Sequence, residues 1–527
     1  MRVLVSIACV ALVAGACSSS DGGSDAGPPD PSRTTTSATK AATVTTNSAP
    51  IAAGHDQSSY AAATCPMQIP TDLDVPIEVH CGYLTVPENR EVAHSKMIKL
   101  AVARIHQVGS HPAVDPVVQL EGGPGFSSLP DIEGYGQSSV LGKHDYVIWD
   151  QRGTGFSTPS LDCPEADDAV WTTFTTNEPA KAEGATLEAG MQACKARLVT
   201  AGVDFDGYDT VQNAADLEDL RLALKIPTWN LRGVSYGSAL AMEEMRTYPG
   251  GIRSVLLDSV VTPDGQFGAV GRGESALRSF GELEKACDAQ ATCKAKYGST
   301  TELMARAAKA LDDRPEPVDI TEPGTGKVRH VKIDGQDLYA GIFRAMYDES
   351  LIPAVPQVLL DVAEGRRGII KTLAEQNIPF VTDQYEAMTT SVDCADREST
   401  FSTQRFEDLV TSHPEVGEIM YLGAAELGCG EWGVQAAPEP FNTKLTKDDF
   451  DGPVLVMAGR FDPITPPAGT MAVAKALGTK ALFFPNAGHG AVGSSDCARN
   501  IYLAFLDDPT KEPDATCMAT LGPPKFA

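Results

Sequence analysis

The chain has 527 residues, 42% hydrophobic and 21% charged, with a formal net charge of −28 and a pI near 4.7. That length exceeds one small domain, and the ordinary hydrophobic content supports a sizeable buried core. The acidic balance argues against a nucleic-acid partner and against charge-driven adhesion to an anionic membrane, while it suits cationic groups such as a peptide's amino terminus.

Residues 1–16 read as an export signal: Arg2 is the charged start, Val3 to Val13 the apolar core, and Ala14-Gly15-Ala16 a small-residue cleavage site. The apolar core is too short to span a bilayer. Cys17 follows directly and resembles a lipobox cysteine, with Ala14 where Leu is usual, so lipidation there is expected. Residues 17–63 are rich in Ser, Thr, Ala, Gly and Pro; such a segment buries too little apolar surface to fold and is expected to be a tether.

Order is expected from near Cys65. Cys81 to Pro87, Met97 to Ile105, Pro116 to Leu120 and Asp145 to Trp149 read as strands. Glu121-Gly122-Gly123-Pro124-Gly125 and Asp150-Gln151-Arg152-Gly153-Thr154-Gly155-Phe156-Ser157 follow two of them as loops. A polar helical stretch to about Lys225 precedes a strand at Pro227 to Leu231 and a helix from Tyr236 to Tyr248, stopped by Pro249. Ser254 to Leu257 is a further strand with Asp258 at its end.

From about Thr262 the pattern turns helical, over Ala276 to Ala310, Gln336 to Tyr347 and Val355 to Glu364. Strand character returns at Val454 to Ala458 and Ala481 to Phe484, and a helix closes the chain at Asp496 to Leu506. Strands alternating with helices predict a mainly parallel α/β sheet with helices on both faces. The expected organisation is core at 64–262, a helical lid at 263–448 and core again at 449–527.

Twelve cysteines are present. Setting aside Cys9 in the signal and Cys17 leaves ten, an even number that in an exported chain reads as disulfides. They fall in local succession, which suggests Cys65–Cys81, Cys163–Cys194, Cys287–Cys293, Cys394–Cys429 and Cys497–Cys517. No Cys-x-x-Cys occurs and the histidines are scattered, so no metal and no cofactor are expected.

Gly233-Val234-Ser235-Tyr236-Gly237 lies between strand and helix, the setting in which a G-x-S-x-G serine is pushed clear of a sheet. A serine nucleophile needs a histidine to take its proton and an acid to orient that histidine. His489, in a glycine-bracketed loop after a strand, is the expected base, and His413 reads as a surface residue. Asp462 ends the strand before the histidine strand and is the favoured acid. Asp258 is the alternative, and Asp150 precedes the serine. Backbone N–H groups of Tyr236 and Gly123 are the expected oxyanion hole.

Taken together, E-G-G-P-G, D-Q-R-G-T-G-F-S, G-V-S-Y-G, R-F-D-P-I-T-P and G-H-G resemble the prolyl iminopeptidase and tripeptidyl aminopeptidase family of α/β hydrolases. The C-G-Y-L-T-V-P, S-V-D-C-A-D and C-G-E-W segments resemble its exported actinobacterial branch. The resemblance implies an α/β-hydrolase fold, a helical lid and removal of one or a few residues from peptide amino termini. It gives the same triad of Ser235, Asp462 and His489.

Glu121 departs from the family pattern, which usually has His or Asn there. Its carboxylate must point away from the oxyanion hole, be paired, or bind a substrate ammonium. Glu243 and Glu244 read as structural, Arg152 as an ion-pair residue of its loop, and Asp348, Glu349, Asp383 and Glu386 as lid acids able to meet an amine. The expected activity is that of a cell-envelope serine aminopeptidase on peptides. A carboxylesterase or lipase with the same triad, acting on small esters, is the alternative. The membrane enters only through the lipid anchor, and oligomeric state is left open.

Overall fold

The computed structural model describes residues 57–262, 268–323, 325–397, 401–423, 428–435 and 445–526. The signal, Cys17 and most of the tether lie outside them. Eleven strands are described: β1 Ser59–Ala63, β2 Ile77–Pro87, β3 Met97–Gln107, β4 Ala113–Leu120, β5 His144–Trp149, β6 Trp229–Ser235, β7 Ile252–Val260, β8 Glu316–Thr321, β9 Val328–Ile333, β10 Val454–Gly459 and β11 Ala481–Phe484. Nine form one sheet in the order β1-β2-β3-β5-β4-β6-β7-β10-β11.

The first three strands and β5 pair antiparallel, and β5 onward to β11 pairs parallel. The parallel centre is built from runs that do not alternate in polarity. Every residue of β5 is buried, as are the last seven of β7. That is the signature of strands covered on both faces. Crossover connections bring the carboxyl ends of β4, β6, β10 and β11 to one edge, where their following loops can meet.

Two elements differ from the sequence reading. The tether was expected to run to residue 63, yet Ser59–Ala63 is strand β1, with Tyr60 opposite Leu84 and Ala63 opposite Cys81. An edge strand is held by backbone hydrogen bonds, which small residues supply as well as large ones. Tyr60 also lies across Gly82, where a methyl group would sit 2.4 Å from its ring. Second, β8 and β9 form an antiparallel hairpin inside the otherwise helical insertion. Its strands are short and mostly solvent-facing, so their alternation is weak, and the Thr325-Gly326 turn, with Gly326 at φ +70, was the available signal.

Between β7 and β10 lie helices Ala269–Asp288, Ala291–Tyr297, Thr300–Asp312, Gly335–Ala345, Val355–Ala363, Ile370–Val381 and Glu386–Arg397, followed by Thr403–Ser412, Gly417–Tyr421 and Cys429–Trp432. Helices Pro164–Thr176 and Ala180–Thr200, from between β5 and β6, pack against this insertion. Disulfides join Cys65–Cys81, Cys163–Cys194, Cys287–Cys293, Cys394–Cys429 and Cys497–Cys517. Among the described residues no helix is long and apolar enough to cross a membrane.

Candidate active site

Strand β6 ends at Ser235, and helix Tyr236–Thr247 begins at the next residue. The reversal forces Ser235 to φ 57 and ψ −128, a region that a residue with a Cβ enters only under constraint. The flanking glycines make it feasible. A methyl group on Gly237 would sit 1.9 Å from the Leu120 carbonyl oxygen, and one on Gly233 would sit 2.4 Å from that of Gly237. The serine is thereby presented at the strand end with its side chain facing a cavity that His489 also lines.

His489 sits after β11, and Asp462 after β10. Asp462 is fully buried. Its Oδ2 lies 2.9 Å from His489 Nδ1 and accepts a 2.6 Å bond from the Thr465 hydroxyl. Its Oδ1 accepts from the backbone N–H groups of Ile464 and Thr465 at 3.0 and 2.8 Å. Burial pushes this carboxyl up, but the His489 charge and the His489 and Thr465 hydrogen bonds outweigh it, leaving Asp462 below its ordinary value. An ionised, fixed carboxylate against Nδ1 leaves Nε2 to exchange a proton with a nucleophile.

No hydrogen bond joins Ser235 to His489 among the described residues, the looser arrangement common before substrate binds. Asp258 is placed differently. Its oxygens accept from the N–H groups of Ala491 and Val492 at 3.0 and 2.8 Å, and the neighbouring Ser259 hydroxyl accepts from Gly490 N–H at 2.8 Å. The end of β7 thus anchors the histidine loop without touching the imidazole. Asp150 holds the segment that follows the Gly122-Gly123 loop in the same way. It accepts from Ser128 N–H and Leu129 N–H at 2.9 Å each and from Phe156 N–H at 2.8 Å, and burial raises it to about 6.

Arg152 is buried, with two bonds to Asp216 at 2.8 and 2.7 Å. The D-Q-R-G motif is therefore scaffolding. Glu243 pairs with Arg246 at 2.7 Å. Glu244 is buried, and burial holds its carboxyl well above the ordinary range.

Gly122 and Gly123 border the nucleophile: a methyl on Gly122 would sit 3.1 Å from Ser235 Cβ. Gly123 holds φ +112, which a glycine tolerates and other residues rarely do. Glu121 lines the same cavity, with its carboxylate held by neighbouring side chains. Its Oε2 accepts from the Tyr135 hydroxyl at 2.7 Å and from Ser128 Oγ and Gln119 Nε2 at 3.3 Å each. Of the three options for this departure, the structure shows the paired one.

The sequence did not reveal that the insertion holds all these loops. Pro124 O accepts from Gln384 Nε2 at 2.5 Å and from Thr389 Oγ1 at 2.7 Å. Gly125 O accepts from Tyr385 N–H at 2.9 Å. The Tyr347 carbonyl accepts from His489 N–H at 3.0 Å, and the Tyr347 ring packs on the imidazole at 4.9 Å. Arg278 donates to the carbonyls of Arg460 and Asp462.

Comparison with known proteins agrees with this layout. Residues 115–270 match the "alpha/beta hydrolase fold" family profile and residues 413–517 the "TAP-like protein" profile. The chain has the α/β-hydrolase fold, with the serine, acid and histidine of a serine hydrolase at its strand ends. Tripeptidyl aminopeptidase of Streptomyces lividans is 29% identical over 36% of this chain, a match spanning 37% of that enzyme's own length. Serine protease Hip1 of Mycobacterium tuberculosis is 24% identical over 82% of this chain and 86% of its own. Proline iminopeptidase of Neisseria meningitidis is 28% identical over 31% of this chain and 39% of its own. A solved esterase from Exiguobacterium antarcticum aligns at a TM-score of 0.34 with 14% identity, covering 79% of this chain and 96% of its own.

In this hydrolase the nucleophile faces a cavity of about 620 Å³, within the range of small-molecule sites. Its walls come from the insertion and from helices Pro164–Thr176 and Ala180–Thr200, which the sequence reading assigned to the core. Phe126, Phe343, Tyr347 and Phe380 form an aromatic wall. Of the four lid acids considered from sequence, only Glu386 lines the cavity. Its carboxyl faces that of Asp167, and no salt bridge reaches either among the described residues. Burial pushes both up, Asp167 to about 7 with the Asp162, Glu322 and Asp168 charges adding to it, while the hydrogen bond the two carboxyls share lowers Asp167 and raises Glu386. Glu349 instead accepts from Asn486 at 3.1 Å, and Asp348 caps Ser350 N–H at 2.8 Å.

Proposed function

We propose that this hydrolase is an aminopeptidase that releases one or a few residues from peptide amino termini. Ser235 attacks the scissile carbonyl while His489 accepts its proton. The tetrahedral oxyanion is met by the N–H groups of Tyr236 and Gly123. His489 then passes the proton to the leaving amine, and water, activated by the same imidazole, releases the acyl group.

The observation that carries the exopeptidase reading is the Glu386 carboxyl at the cavity wall, with Asp167 hydrogen-bonded to it from behind the lining. A half-buried carboxyl pair with no ion-pair partner among the described residues gains most from an ammonium group delivered by a ligand. The test is hydrolysis of an alanine-based peptide with a free amine against its N-acetylated form. At least a hundredfold preference in kcat/KM for the free amine is expected, and equal rates would overturn the reading in favour of an esterase. Glu386→Gln should erase most of that preference. Glu121→Gln should affect both substrates alike, because its carboxylate is already engaged with Tyr135.

We further propose export and anchoring at the cell envelope through Cys17. Five disulfides fit an oxidising compartment, and residues 1–17 have the charge, apolar run and small-residue site of a lipoprotein signal. Metabolic labelling with a fatty acid, lost in Cys17→Ala, tests this.

A further inference from the structure

The cavity has a second pole. Arg344, at the end of helix Gly335–Ala345, lines it, with its guanidinium 4.1 Å above the Phe380 ring and 4.8 Å from that of Tyr347. Arg272, in helix Ala269–Asp288, lines the same cavity. Among the described residues neither side chain has a hydrogen bond or a carboxylate within 4 Å. Both charges are felt at the Tyr347 phenol, which burial raises and which they pull back down, and both side chains line the same cavity as that ring. Asp348 acts on Arg344 through space but forms no ion pair with it. A partly desolvated guanidinium with no carboxylate partner is costly, and two on one wall are unusual in a chain carrying −28.

We infer that Arg344 and Arg272 form an anion subsite for a substrate carboxylate on the leaving-group side of the scissile bond. The side follows from contact. His489 delivers its proton to the leaving amine, its ring packs on Tyr347, and the Arg344 guanidinium lies 4.8 Å from that same Tyr347 ring. Two to three extended residues beyond the amine span roughly 7–10 Å, enough to carry a carboxylate past Tyr347. The subsite selects peptides whose released portion ends in a free carboxylate or carries an acidic side chain near the new amino terminus. With Glu386 meeting the amine, the cavity is matched to a short zwitterionic peptide. The inference rests on the aminopeptidase reading for the identity of the leaving group.

The test uses four free-amine alanine peptides that differ only beyond the scissile bond, ending in an alanine carboxylate, an alanine amide, a glutamate amide or a glutamine amide. In the full-length enzyme at least one charged member should exceed its neutral partner about tenfold in kcat/KM, the scale of a hydrogen bond to a charged group. A difference confined to the alanine pair assigns the subsite to a terminal carboxylate, and one confined to the glutamate pair assigns it to a side chain. In Arg344→Gln that ratio should fall to about one, and Arg344→Lys should keep part of it. Because each ratio is taken within one preparation, loss of folded protein does not distort it. Ratios near one in the unaltered enzyme, or ratios unchanged in Arg344→Gln, overturn the proposal. If no peptide is cleaved, inhibition of p-nitrophenyl acetate hydrolysis by N-acetylphenylalanine against its amide reads the subsite directly. A carboxylate advantage lost in Arg344→Gln then upholds the subsite while the peptidase reading fails, and no advantage removes both.

Discussion

Replacing Asp462 by Asn separates the two acids that the sequence offered. Asp462 holds His489 Nδ1 at 2.9 Å and is itself held by Thr465 and two backbone N–H groups. An asparagine keeps the shape and can still accept from Ile464 and Thr465. It cannot stabilise an imidazolium, and its amide nitrogen favours the wrong histidine tautomer. Loss of a buried triad carboxylate in this way costs about 10^4 in kcat, about 5 kcal/mol of transition-state stabilisation. Asp258→Asn is the matched control. Asp258 is equally buried but bonds only Ala491 and Val492 N–H, so losing one of those charged bonds should shift the histidine loop and cost about tenfold. The assay is steady-state hydrolysis of a p-nitrophenyl ester, with active sites titrated by a fluorophosphonate and folding followed by circular dichroism. Equal losses in the two folded variants, or a larger loss in Asp258→Asn, would refute the assignment of Asp462.

Removing both donors to the Pro124 carbonyl, in Gln384→Met with Thr389→Val, strips an acceptor inside the site and should lower kcat about tenfold or more with little change in KM, measured on the same ester. The Cys394–Cys429 bond closes a 35-residue separation, worth about 4 kcal/mol in loop entropy, so the double Ser variant should melt several degrees lower, read by calorimetry. Asp150 is raised to about 6 by burial from an unfolded value near 3.9, so the folded state binds its proton more tightly. That contribution is full below about pH 4 and is lost as pH rises through 6, amounting to about 3 kcal/mol. Asp150→Asn should therefore be most destabilising relative to the unaltered protein at pH 4, by that margin over pH 7, in denaturant titrations. Gly237→Ala would force a methyl against the Leu120 carbonyl and should yield little folded enzyme in a solubility assay.

The elements that were legible in the sequence are those with strong local causes. The strands His144–Trp149 and Val454–Gly459 are apolar runs too short to be helices, and Gly233 and Gly237 mark a turn that few other residues permit. The order of Ser235, Asp462 and His489 is likewise carried by strand ends that the pattern reveals one at a time. The unread parts are contacts between distant segments. Nothing in Gln384 or Thr389 announces a carbonyl 260 residues away, and the Asp258 bonds to Ala491 and Val492 depend on β7 lying beside β10. Strand β1 was missed because its backbone, and not its small side chains, holds it in place.

These contacts change what the insertion is. A lid that only covered a site could swing away without disturbing the chemistry. Here three segments of the insertion bond directly to the three loops that carry Gly123, Asp462 and His489. Tyr347 holds His489 by its carbonyl, Arg278 holds the backbone of Asp462, and Gln384, Tyr385 and Thr389 hold Pro124 and Gly125. Each is a hydrogen bond to a partly buried backbone group, and breaking one without a replacement costs about 1–3 kcal/mol. Moving the insertion as one body would break all of them together, a cost comparable with the whole stability of many domains. Substrate entry must then spare the segments around Tyr347 and Gln384 and use motion elsewhere in the roof. The same bonds make substrate selection and catalysis parts of one structure, since Tyr347 joins Arg344 to His489 and helix Glu386–Arg397 joins Glu386 to the oxyanion loop.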